Sequence, residues 1–168
     1  MKRLYWNRIL SAAAVVFWMA GIFLFSAQTG TDSGNLSGGI VNMLLHFFFP
    51  GFDKLPLEEQ LRWLDICRLL VRKGAHMAEY AVLAMLCANA LRTYPLSRLL
   101  QWIAPVGICL LYAISDEIHQ SFVPGRACSP WDVCIDTAGA ICGVIAFMTV
   151  AALIRTQKSK KQDGIQLN

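Results

Sequence analysis

The sequence predicts an all-α integral membrane four-helix bundle. Both termini are expected in the cytoplasm, and an amphipathic, interfacial helical segment is expected in the first outer loop. Three observations lead there. The 168-residue chain is 56% hydrophobic and only 15% charged, where a soluble domain of this size carries about 25% charged residues. The apolar residues are gathered into four stretches, roughly 9–25, 75–91, 99–115 and 133–154. Each reaches or approaches the ~17 residues needed to cross a bilayer. The cations, finally, sort to one side of an alternating topology.

The first stretch, Ile9 to Phe25, holds no charge and follows Lys2, Arg3 and Arg8. A secretory signal would show the same charge and then a small-residue cleavage site. "LFSAQTG" is a poor one, because bulky Phe25 stands two positions before Ala27. The stretch therefore reads as a retained span. In the long segment that follows, "IVNMLLHFFFPGF" (Ile40–Phe52) is apolar but too short to span, so it is expected to lie in the interface or re-enter. His46 within it reads as an interfacial residue. "PLEEQLRWLDICRLLVRK" (Pro56–Lys73) sets leucines and Trp63 at helical spacing with charges between them. Pro56 suits a helix start, and Glu58 and Glu59 suit a first turn. It is expected to lie on the outer membrane surface and lead into the second span.

With both termini inside, nine cations lie on the cytoplasmic side against one acid, Asp163; the other side holds six cations against ten acids. The membrane domain then covers residues 1–154, and 155–168 form a basic cytoplasmic tail. That tail, with Arg155, Lys158, Lys160 and Lys161, reads as a membrane anchor rather than a nucleic-acid binder. The six cysteines include no CxxC pair, which argues against a zinc ribbon or thioredoxin-type site. Cys87, Cys109 and Cys142 read as small core residues. Cys67 and Cys128 could pair outside the cell if geometry allowed.

The polar residues collect where the spans begin or end on the outer side. Lys73, His76 and Tyr80 recur at helical spacing entering span two, with Glu79 beside them. Tyr112, Asp116, His119 and Gln120 do the same leaving span three, next to Glu117 and the "VPGR" turn that carries Arg126. Asp132 and Asp136 open span four, and Ser26 and Gln28 close span one. A charge in hydrocarbon costs about 2.5–3.5 kcal/mol on insertion scales, and such residues usually face a bundle interior or a watery cavity. So dense a group favours a functional cavity over a network that only staples helices together. Gly139 and Gly143 form a GxxxG pattern on span four, expected to serve close packing inside the bundle first and dimerisation second.

"FSAQ", "RKGAHMAEY", "YAISDEIHQSFVPGR" and "DVCIDTAGAICG" occur in this order and cover the core from about Phe25 to Gly143. In this combination the chain resembles the VanZ-like family of small bacterial membrane proteins. Ala27 stands where that family often has a second Ser, and Asp136 where Asn is also common. The resemblance implies a cell-envelope role in the bacterial cytoplasmic membrane, with the polar site facing out. It also implies a link to low-level resistance to the glycopeptide teicoplanin.

Two readings of the cavity stand side by side, with catalysis left open. In the first it acts on a lipid-linked envelope component. His76 or His119 would be general acid or base, Asp116 or Glu117 would orient it, and Glu79 would join them. Lys73 and Arg126 would grip a phosphate. Ser26 is a candidate nucleophile, but no residue visible in the sequence activates it. Gln28, Tyr80, Gln120, Asp132 and Asp136 would line the site. A divalent metal held by His76, His119 and carboxylates is a loose signature. In the second reading the cavity is non-catalytic and binds a lipid headgroup or a lipophilic antibiotic, or supports a partner protein. A transporter is disfavoured, because the spans lack a broken-helix pattern and mid-depth charges.

Overall fold

The computed structural model describes the backbone of residues 2–166, and their side chains apart from those at 31–33, 35–37, 159 and 161–166. Asp32, Lys161 and Asp163, which enter the charge count above, lie outside the described side chains. Five α-helices follow one another: α1 (Lys2–Ser26), α2 (Gly30–Phe48), α3 (Leu57–Leu91), α4 (Arg98–Gln120) and α5 (Pro130–Gln166). A short 3₁₀ turn, Phe52–Lys54, joins α2 to α3. No strand occurs among the described residues.

Helix boundaries follow local chemistry. Pro56 precedes α3, with Glu58 and Glu59 in the first turn facing the positive end of the helix dipole. Ser97 caps α4 by accepting from the Leu100 amide at 3.3 Å. Pro130 begins α5, and Asp132 sits in its first turn. After α4 the chain turns through Gly125, whose φ of 75° suits a residue without a Cβ. That turn docks on the start of α2: the Gly30 amide donates to Pro124 O at 3.2 Å. A Cβ on Gly30 would collide with Gly125 O, so glycine is needed there for close approach.

Three helices, α1, α4 and α5 to Lys158, are long and apolar enough to cross a membrane. Many of their large apolar side chains face outward, among them Leu10, Phe17, Leu24, Leu111 and Ile145, as lipid contact requires. The fourth expected stretch, 75–91, forms the second half of α3, interrupted by His76, Glu79 and Asn89. Its role differs from the others. α3 packs against each of the other four helices, and it supplies Tyr80, Leu83, Ala84, Cys87 and Ala88 to the core. Polar groups are affordable on this helix because protein, not lipid, surrounds that half.

The amphipathic segment and the expected second span form one uninterrupted helix. Pro56–Lys73 is therefore not a separate surface helix. No proline follows Pro56 inside α3, and Gly74 alone does not stop the i→i−4 ladder. At ~1.5 Å per residue, 35 residues reach roughly 50 Å, well beyond the ~30 Å hydrocarbon core. The apolar run Ile40–Phe48 falls in α2, a helix that begins earlier than its apolar residues, at Gly30. α2 packs on α3 alone to any extent.

The closest seam is α3 against α5. A Cβ on Gly139 would strike Met77 O, and one on Gly143 would strike Ala81 O. The GxxxG pattern thus serves packing within the chain, where backbone meets backbone. Ala140 and Val144 fill the same face. Cys142 is exposed, while Cys87 and Cys109 are buried; the core expectation for Cys142 is corrected by its position, roughly 60–100° around α5 from the glycines that meet α3. All six thiols are free, Cys67 and Cys128 included.

Candidate functional site

The centre of the site is Asp116, 3% exposed, in the last turns of α4. Its Oδ2 accepts from Ser26 Oγ at 2.7 Å and from Gln120 Nε2 at 3.0 Å. Gln120 Nε2 also donates to Ser26 Oγ at 3.1 Å. The i, i+4 spacing of Asp116 and Gln120 puts both on the α4 face that meets the end of α1. Gln120 is oriented in turn by Arg126, whose Nη1 donates to Gln120 Oε1 at 3.0 Å. Arg126 Nε donates to the backbone carbonyl of Gln28 at 3.0 Å. The VPGR turn therefore folds back over the end of α1, and a chain of bonds runs from Arg126 through Gln120 to the Ser26–Asp116 pair.

Glu117, equally buried, accepts from the Ser129 amide at 2.8 Å and so ties α4 to the approach of α5. Lys73 on α3 forms an ion pair with Asp132 on α5. His76 Nδ1 lies 3.9 Å from Glu79 Oε2, one turn along α3. Asp136 is 2% exposed. Asp116 lies within electrostatic reach of His76, Glu79, Tyr80 and Asp136. One end of the packed helices thus gathers Ser26, Lys73, His76, Glu79, Tyr80, Asp116, Glu117, Gln120, Arg126, Asp132 and Asp136. Gln28 joins through its main chain.

His119 is placed differently. Its ring stacks on Phe23 of α1, with centroids 4.3 Å apart and planes at 29°, and its buried Nε2 has no hydrogen-bond partner. Three residues past Asp116 is roughly 60° around the helix. That suffices to aim the imidazole at the flank of α1 instead of at the carboxylates on α3 and α5.

The polar groups do not satisfy one another. Asp116 Oδ1, Asp136 Oδ1 and Tyr80 OH are buried without partners, where native interiors leave few such atoms. Carboxylates also outnumber cations: Glu79, Asp116, Glu117, Asp132 and Asp136 face Lys73 and Arg126, with Arg72 close enough to Arg126 and His76 to be felt by both. Among the described residues no three His, Cys, Asp or Glu side chains converge as a metal site.

Sequence reasoning missed several of these features. Ser26 appeared to have no activator, because Asp116 lies 90 positions away. Arg72 and the Ser129 amide drew no notice. Trp18 donates Nε1–H to Glu79 O at 2.9 Å. An indole in a span needs such a partner, and that is a signal the sequence does carry. Tyr112 OH likewise donates to Met19 O at 2.7 Å.

No match is found among curated proteins or solved structures. A family model described as VanZ/LLP1 matches residues 11–154, a stretch that contains every residue of the Asp116 cluster. This membrane protein belongs to the VanZ/LLP1 family.

Proposed function

We propose that the chain crosses the bacterial cytoplasmic membrane four times, with both termini inside. In this reading the Asp116 cluster opens outward and receives the polar head of a lipid-linked cell-envelope component. The orientation is supported by the charge asymmetry, since cations flank the opposite helix ends. The binding reading rests on one observation: three buried oxygens on three helices, Tyr80 OH, Asp116 Oδ1 and Asp136 Oδ1, have no partner in the protein. A network built only to staple helices would pair them, since an unpaired buried polar group costs about 1–3 kcal/mol. A hydroxyl-rich or protonated head would pair them on binding.

Within the cluster, Ser26 is the candidate nucleophile and Asp116 the base that takes its proton, the two already hydrogen-bonded at 2.7 Å. Gln120 holds both groups, and Arg126 holds Gln120. Lys73 is engaged by Asp132, which leaves Arg126 as the better candidate for an anionic part of the head. His76 beside Glu79 is a candidate proton carrier.

The non-catalytic reading keeps one observation in its favour: Lys73–Asp132 and Glu117–Ser129 are complete pairs of a purely structural kind. Ser26→Ala and Asp116→Asn separate the two. In cells lacking the native protein, each variant is expected at normal membrane level, with envelope lipids analysed by mass spectrometry and teicoplanin susceptibility measured alongside. Catalysis predicts that both variants behave like the empty vector, a loss on the order of 10²-fold for the base. Full complementation by both would leave binding or stapling as the role of the cluster.

A further inference from the structure

We propose that the groove between α4 and α5 at the opposite end of the helices binds a phosphate-bearing anion, in the form of an anionic phospholipid headgroup. The groove encloses about 390 Å³. Arg98, at the start of α4, and Arg155, near the end of the apolar part of α5, line it together. Both are exposed, and no acidic residue lines the groove. Neither takes part in any described ion pair.

Two other arginines of this end are already engaged. Arg8 donates to Thr93 O at 2.9 Å and lies over the Tyr94 ring at 4.4 Å. Arg92 lies over the Phe147 ring. Arg98 and Arg155 are exposed cations that share one groove. Two guanidinium forks on one groove match the paired oxygens of a phosphate diester.

The remaining lining favours a lipid over a free ion. Trp102, 44% exposed, is an amphipathic ring of the kind that sits at headgroup level. Met148, Ala151 and Ala152 form an apolar floor of mostly small side chains, along which an acyl chain can lie. Basic pockets between membrane helices hold anionic headgroups by this combination of charge and apolar surface. The cluster around Asp116 offers nothing comparable, since its cations stand among carboxylates and amides.

The test uses the full purified chain and measures lipid retention by native mass spectrometry. The probes are phosphatidylglycerol and phosphatidylcholine of the same acyl chains, with inorganic phosphate as the soluble competitor. Phosphatidylglycerol is expected to be retained roughly thirtyfold better than phosphatidylcholine, on the basis of about 1 kcal/mol for each of the two basic residues. The combined Arg98→Gln and Arg155→Gln variant should lose that preference, whereas Arg92→Gln should keep it. Ala152→Trp fills the floor with both charges intact and should lose retention too, so a folding defect in the double variant does not decide the matter. An unchanged preference in the Gln pair, or an equal loss in Arg92→Gln, overturns the site in favour of diffuse surface charge. Displacement by millimolar inorganic phosphate overturns the lipid and assigns the groove to a soluble anion.

Discussion

The two ends of the helices treat charge in opposite ways. At the Asp116 end, carboxylates are buried and contact groups on other helices, down to 2–3% exposure. At the basic end, Arg92, Arg98, Arg155 and Lys158 are exposed, and the contacts that do form end on a backbone carbonyl or an aromatic face. Burial makes the difference. A desolvated charge must find a specific partner, so its geometry is fixed and its loss is felt. An exposed charge acts through its sign and is replaceable. The acidic end has therefore the character of a site, and the basic end chiefly that of an orientation signal, apart from the groove between α4 and α5.

That contrast can be broken most directly by truncation. Asp116→Ala strands the Ser26 hydroxyl and the Gln120 amide, and is expected to destabilise the protein by about 2–3 kcal/mol. Arg92→Ala should stay within ~0.5 kcal/mol, as exposed substitutions usually do. Thermal unfolding in detergent measures both, and similar losses at the two ends would erase the distinction.

A smaller effect of opposite sign sharpens it. Asp136 is buried among Asp116, Asp132, Glu117 and Glu79, with Oδ1 unpaired. Asp136→Asn keeps the shape and adds an N–H donor among carboxylates where Oδ1 has no partner, so it should raise stability by about 1 kcal/mol. Function should fall at the same time, the usual trade at a site that stores strain. A variant that is less stable as well as inactive would mean that the carboxylate mainly holds the fold.

The smallest effect lies in the hairpin of α2 and α3, away from both ends. His46 Nδ1 is 2.7 Å from Asn42 O, and Nε2 is 3.1 Å from Asp53 Oδ1. Those two acceptors, the carbonyl more than the carboxylate, push its pKa above the usual 6.5. A raised folded value means the contribution is complete below pH 6.5 and fades as pH rises through the folded value. Amide exchange near the end of α2 should quicken slightly between pH 6 and 8, and His46→Gln should flatten that response. An exchange profile that slows with pH after correction for intrinsic rates would contradict the assignment.

Much of this was legible in the residues. Lipid-facing stretches announce themselves by composition, because every outward position must be apolar over a length fixed by the bilayer. Pro56 marked the start of α3 through backbone chemistry that needs no tertiary context. The spacing of Gly139 and Gly143 foretold a close seam. Polar residues at helix ends were visible as a group for the same reason, since their cost in lipid makes them conspicuous.

Partners were not legible. Helical periodicity places a side chain to within a turn, yet a hydrogen bond needs a fraction of an ångström. So the sequence determined which stretches are apolar enough to cross a membrane, where α3 starts, and that Ser26, Asp116, Gln120 and Asp136 gather near one end. Only the tertiary structure decided that Ser26 meets Asp116, that Lys73 is neutralised by Asp132, that His119 turns aside onto Phe23, and that α3 runs unbroken through the centre. The physical reason is that hydrophobic and backbone preferences act locally and set elements. Which polar atoms meet depends on the rotation and depth of each helix against its neighbours, and those are fixed by packing contacts between residues far apart in the chain.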